Sequence, residues 1–155
     1  MSVARPGRRE EGIAQPALGC QTGADLTVAR LDAAKARTMN VSRIAASAVF
    51  LSSGTLHFLK PAIFVEIVPP ALPFPGALVA LSGAAELAGA LGLQLPRTRR
   101  AAAAGLIALL VAVFPANVYM FVAHERFAAL APSWVLLARL PLQALLIAWV
   151  WACRK

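Results

Sequence analysis

Residues 101–123 run for 23 positions without one charged side chain. At about 1.5 Å per residue a helix of that length reaches across the roughly 30 Å hydrocarbon core of a bilayer. Few soluble folds leave room for such a segment, and here it has company. Residues 76–95 are apolar except for Ser82, Glu86 and Gln94, and residues 133–153 except for a few positions that include Arg139, Pro141 and Gln143. A weaker stretch, 41–59, is diluted by Ser42, Ser47, Ser52, Ser53 and Thr55. The runs are too long, too rich in Ala and Leu, and too free of alternation to be strands. The pattern predicts an all-α membrane protein, a bundle of four transmembrane helices over 41–59, 76–95, 101–123 and 133–153.

The placement of charge fits that reading. Of 15 basic and 7 acidic residues in 155 positions, seven basic and four acidic fall within the first 43, and the rest gather mostly at short junctions. Arg30, Lys35, Arg37 and Arg43 precede the first span, Arg97, Arg99 and Arg100 separate the second from the third, and Arg154 and Lys155 follow the fourth. Only Lys60 and Arg126 fall on the opposite side. The positive-inside rule then puts both termini in the cytoplasm. Trp134 at one end of the last span, and Trp149 and Trp151 at the other, suit the two interfacial belts. A net charge of +8 could signal nucleic acid, but no basic stripe with interleaved aromatics is present, so no nucleic-acid partner is expected.

Residues 1–40 differ in kind. They carry Pro6, Pro16 and scattered charges, with no apolar run of the sort a secretory signal needs. A short surface helix is expected over 25–37, and the remainder of this polar leader reads as disordered. Met39, just ahead of the first span, is a second candidate initiator, which would leave 1–38 untranslated. Between the first two spans, Pro61, Pro69, Pro70, Pro73 and Pro75 forbid a continuous helix. Yet Phe64, Ile67, Val68, Leu72 and Phe74 make the segment too apolar for a solvated loop. It is expected to cap the outer face of a membrane domain that occupies 41–155. Cys20 and Cys153 form no CxxC pair and no metal-ligand spacing, so free thiols and no metal site are expected.

Polar side chains within the apolar spans are the candidate site. A charge at the centre of a span costs about 2.5 to 3.5 kcal/mol on insertion scales, so it tends to face inward and to be paired. Glu86 lies roughly 15 Å, and Arg139 roughly 9 Å, from the outer ends of their helices, within reach of one another. They are the expected buried pair. Ser82, Gly83, Gly89 and Ala90 surround Glu86 with small residues that admit a neighbouring helix. Gln143 lies one turn from Arg139, Asn117 follows the kinking Pro115, and His57 stands near the outer end of the first helix. Together with Glu66, these residues outline an outward-facing ligand pocket: His57, Glu66, Glu86, Asn117, Arg139 and Gln143. The alternative is architectural, with Glu86 and Arg139 pinning helix register and Asn117 bonding between helices. Haem ligation by His57 and His124 is weaker still, because His124 adjoins Glu125 and Arg126 in a charged loop.

Several strings in order resemble the DoxX-like family of small bacterial membrane proteins: GTLHFLKP at 54–61, FVEIVPPALP at 64–73, SGAAELAGALGL at 82–93, PRTRRA at 96–101 and FPANVYM at 114–120, followed by RLPLQ at 139–143. The resemblance covers roughly residues 43–152. It implies a multi-pass four-helix bundle in the bacterial cytoplasmic membrane and a redox-associated role, since some relatives are linked to quinone reduction or to membrane thiol chemistry. Paired cysteines for a dithiol role are missing. The chain carries no flavin, haem or iron–sulfur motif, so any electron transfer must use a bound quinone or a partner subunit. The expected ligand is a quinone or another small amphipathic molecule. The expected partners are the lipid bilayer, a membrane redox subunit and a second copy of the chain. A non-catalytic accessory or assembly subunit is the other reading, and a transporter or channel is a third.

Overall fold

A computed structural model of the protein describes residues 23–155, which contain helices and turns but no strand. Two units divide the described residues, 23–34 and 35–155. Helix α1 is Gly23–Leu59, α2 Pro61–Glu66, α3 Pro75–Gln94, α4 Arg99–Val122 and α5 Ser133–Cys153. Three of them, α3, α4 and α5, are long and apolar enough to cross a membrane. Helix α1 falls outside that group, because its apolar stretch is interrupted by five hydroxyl side chains, Arg43 and His57.

The short helix expected over 25–37 falls within α1. Residues 23–40 are helical, and no break separates them from the apolar stretch that follows. The reason is local: residues 24–53 hold neither Gly nor Pro and are rich in Ala, Leu, Lys and Arg, which favour helix whether or not the face is apolar. The part of the leader expected to be disordered falls mostly on 1–22, outside the described residues.

Proline sets most of the other boundaries. Pro61 and Pro75 occupy first helical positions, where the missing N–H is no loss. Phe74, just before Pro75, has φ 54°, a left-handed conformation uncommon for a bulky residue, and its ring is exposed. Helix α3 stops at Leu95, whose backbone is extended ahead of Pro96. Pro115 and Pro141 lie inside α4 and α5.

One core joins Ala46 and Phe50 of α1, Ala90 and Leu93 of α3, Leu106 and Leu110 of α4, and Val150 and Cys153 of α5. Helices α3 and α4 come close because Gly89 and Gly92 leave space for Leu106 and Ala102. A second, smaller core of Met120, Phe127 and Leu136 closes the turn between α4 and α5. Large apolar side chains such as Leu91, Val111, Leu145 and Trp134 remain exposed on the outward faces, as expected of helices that meet lipid.

Candidate functional site: a cavity walled by four helices

Two glycines set the geometry. At Gly54 of α1 and Gly83 of α3 the helices approach so closely that a Cβ on Gly83 would lie 2.7 Å from His57 Cβ and 3.1 Å from the Gly54 carbonyl oxygen. A Cβ on Gly54 would meet the Gly83 carbonyl at 2.9 Å. His57 Cβ lies against Gly83, and Glu86 Cβ lies 3.1 Å from a Cβ built on Gly54, so the two glycines set these side chains on either side of the crossing, within reach of one another. His57 Nδ1 is 3.9 Å from Glu86 Oε2.

The imidazole is fixed on two further sides. Nδ1 donates to the Ser53 carbonyl at 2.9 Å, which puts the proton on that nitrogen because a carbonyl oxygen only accepts. The ring stacks on Phe64 with centroids 3.8 Å apart and planes 23° from parallel. Glu86 has less support. Its Oε2 is buried and, among the described residues, accepts no hydrogen bond.

These side chains line a cavity of about 590 Å³ bounded by α1, α3, α4, α5 and the segment after α2. Across from His57 and Glu86, Asn117 Nδ2 donates to Gln143 Oε1 at 2.7 Å, and Gln143 Nε2 donates to the Leu110 carbonyl. Leu110 precedes Val111, the residue whose carbonyl loses its helical donor to Pro115. The expected tie between α4 and α5 is therefore present, and it is made by two amides. Arg139 also lines the cavity, together with an adjoining hollow of about 240 Å³ that shares Phe64 and Ile67 with it.

The cavity thus brings together His57, Glu86, Asn117, Arg139 and Gln143. Glu66 is exposed and off its wall, because Phe64 and Ile67 take the inward face of this stretch and Glu66 falls between them. The expected Glu86–Arg139 pair is not formed. Glu86 lies against His57 instead, while Arg139 is exposed and no ion pair joins it to Glu86. Depth along the helices matches them, but the Gly54–Gly83 crossing brings α1, rather than α5, against Glu86. His124 is exposed in the α4–α5 turn, off the cavity wall, so it shares no site with His57.

Phe64 is the site residue that sequence reasoning missed. An aromatic seven positions after a histidine and just past a helix-breaking proline was the available signal. The proline-rich segment does fold over the cavity, placing Ile67, Val68, Pro69 and Leu72 on its wall.

At the other end of the helices lies a second polar group. Ser47 donates to the Ala90 carbonyl at 2.7 Å, and Gln94 Nε2 donates to Ser47 Oγ at 2.6 Å and to the Arg43 carbonyl at 3.1 Å. The Arg43 guanidinium donates to Asn40 Oδ1 at 2.5 Å, to the Met39 carbonyl at 3.1 Å and to the Lys155 main-chain oxygen at 3.4 Å. Trp149 Nε1 donates to Ser42 Oγ at 2.8 Å, and buried Cys153 lies 3.6 Å from that hydroxyl.

Apolar helices long enough to cross a membrane, packed around a cavity with a few polar heads, define a small helical membrane protein. The chain belongs to the family described as a domain of unknown function (DUF8561), whose model matches residues 46–154 and so takes in the cavity. No curated protein and no solved structure matches it.

Proposed function

We propose that the protein is an integral membrane protein of DoxX type that binds a small amphipathic molecule in this cavity. The observation that carries the reading is the cavity itself. At about 590 Å³ it falls within the size range of small-molecule sites, and its wall is mostly apolar with a few converging polar groups. A quinone is the ligand class that the resemblance to DoxX-like proteins favours, with electrons passing through it or through a partner subunit in a redox-associated role. The bacterial cytoplasmic membrane is the compartment that the same resemblance favours.

In this reading α1 supplies a fourth span over residues 41–59, and both termini face the cytoplasm. Its hydroxyls support the assignment. Ser52 donates to its own helix at the Ala48 carbonyl, and Ser47 donates to α3, so neither needs water. Labelling single cysteines at residues 97 and 126, with the native thiols replaced, from each side of sealed vesicles tests the orientation. Residue 97 should react from the cytoplasmic side only.

The ligand test is mass spectrometry of small molecules extracted with the purified protein. A quinone or similar amphiphile present in wild type and depleted in a folded Glu86→Leu variant supports the reading. Its absence from wild type counts against it. A second reading, an accessory subunit of a membrane assembly, is favoured by the exposed small residues Ala101, Ala104 and Gly105 of α4, where open space adjoins Gly105. Co-purification of a stoichiometric membrane protein after mild extraction, lost on substituting Gly105 with Leu, supports that alternative.

A further inference from the structure

We infer that the cavity selects a ligand whose head is an uncharged hydroxyl, an alcohol or phenol that donates its O–H to Glu86 Oε2. The inference rests on the ligand-binding reading above and adds the chemistry of the head group; within the quinone class it selects the reduced quinol, because a quinone carbonyl has no proton to donate.

Glu86 Oε2 is a buried acceptor without a donor among the described residues. Leaving such a group unpaired is expensive, and native structures seldom do so without a reason. Three donors of the cavity wall are committed elsewhere. His57 Nδ1 is bonded to the Ser53 carbonyl at 2.9 Å, and the ring's stacking on Phe64 resists a turn toward Glu86. The Asn117 amide is held by Gln143, and the Gln143 amide by the Leu110 carbonyl. The Ser53 hydroxyl bears on the carboxyl group but leaves Oε2 without a bond. Arg139 lines the same cavity without pairing with Glu86.

The charge of the head follows from what surrounds it. An ammonium head would suit Glu86 but would share a low-dielectric cavity with the Arg139 guanidinium and the N–H of His57. A carboxylate head would suit Arg139 but would repel Glu86 and has no proton to give. A neutral hydroxyl meets the carboxylate without adding charge. The apolar body of the ligand then lies along Val79, Leu110, Val113 and Leu146, with Phe64 and Leu72 of the proline-rich segment above it.

The test uses three probes of one shape: 4-octylphenol, its O-methyl ether, and 4-octylphenyl-trimethylammonium. Binding of each to the full chain in lipid nanodiscs is measured by competition against a radiolabelled phenol probe. The phenol should bind up to about tenfold tighter than the ether, the margin expected for one added hydrogen bond. Glu86→Leu should erase that margin, with folding of the variant checked by circular dichroism and by an unchanged elution volume on size exclusion.

Equal binding of phenol and ether to wild type overturns the inference while leaving the cavity as a binding site; that is the result if solvent supplies the donor to Oε2. Tighter binding of the ammonium probe overturns the neutral head. A preference for phenol that survives in folded Glu86→Leu overturns the role of the carboxylate. If no probe competes and none binds, both this inference and the ligand-binding reading fall. If Glu86→Leu does not fold, the wild-type phenol-to-ether ratio decides alone.

Discussion

The two ends of the helices handle polar groups in opposite ways. Around Gln94, a guanidinium, an amide and two hydroxyls are bound by neighbouring helices or by the main chain. Around Glu86, a carboxylate oxygen has no donor, and Arg139 and Glu86 share a cavity without meeting. Both ends are built on the same helices, so composition does not separate them. The difference lies in what each set of polar groups is completed by. Protein completes the first. The second is left for something else, at a cost that the rest of the fold must offset.

The largest effect should come from the crossing that creates the open end. Gly83→Val would force side-chain atoms against His57 Cβ and the Gly54 carbonyl, which lies on backbone that cannot swing away. Overpacking of this kind costs about 3 kcal/mol. A lowered midpoint in thermal unfolding of the detergent-solubilised protein checks it, with Gly105→Ala as the control, since nothing lies within 4 Å of its Cβ position. Unchanged stability in Gly83→Val would mean that α1 and α3 do not cross here, and the juxtaposition of His57 and Glu86 would fall with it.

Next is the closed end. Gln94→Leu removes two donated bonds and leaves the Arg43 carbonyl and the Ser47 hydroxyl to find new donors. A loss of about 2 kcal/mol is expected, again read from thermal unfolding. Ligand binding at the other end should be untouched. If Gln94→Leu abolishes probe binding in folded protein, the two ends are not independent and the comparison needs redrawing.

How much of this was legible beforehand depends on what each residue needed. Helices α3, α4 and α5 were plain, because apolar runs bounded by prolines and arginines leave little choice in a bilayer. The membership of the cavity was also legible, since Glu86, Asn117, Arg139 and Gln143 are conspicuous in apolar surroundings. The partner of Glu86 was not. Depth along an axis can be counted from the sequence, but the direction in which helices face one another depends on where they touch. That point was hidden in Gly54 and Gly83, which look like any small residues. Glu66 failed for a related reason, one short helical turn deciding which of its neighbours face inward. The continuity of α1 is less legible, because the polar stretch before residue 41 has no apolar face to mark its helix and only propensity sustains it.

A smaller change, opposite in sign, should come from Glu86→Leu. Removing a partner from a satisfied network destabilises, but removing a buried carboxylate with one oxygen left without a donor relieves a desolvation cost. Thermal unfolding of the ligand-free protein should show stability unchanged or raised by about 1 kcal/mol. A clear loss would indicate that the His57 contact at 3.9 Å holds the bundle together, and Glu86 would then belong with the architectural residues of the closed end.

The smallest effect on stability is expected at Arg139, and it is the most discriminating for its size. Arg139 is exposed and pairs with neither Glu86 nor Glu66. Arg139→Met keeps most of the apolar stem and removes only the charged head. Substitutions of this type, away from any network, usually change stability by less than about 0.5 kcal/mol. The variant should therefore unfold with wild-type protein in detergent, while ammonium probes, which the guanidinium repels, should bind it better than they bind wild type. If Arg139→Met instead destabilises as much as Gln94→Leu, the guanidinium has a structural partner within the bundle. The polar groups of the cavity would then complete one another, and the contrast between the two ends would vanish.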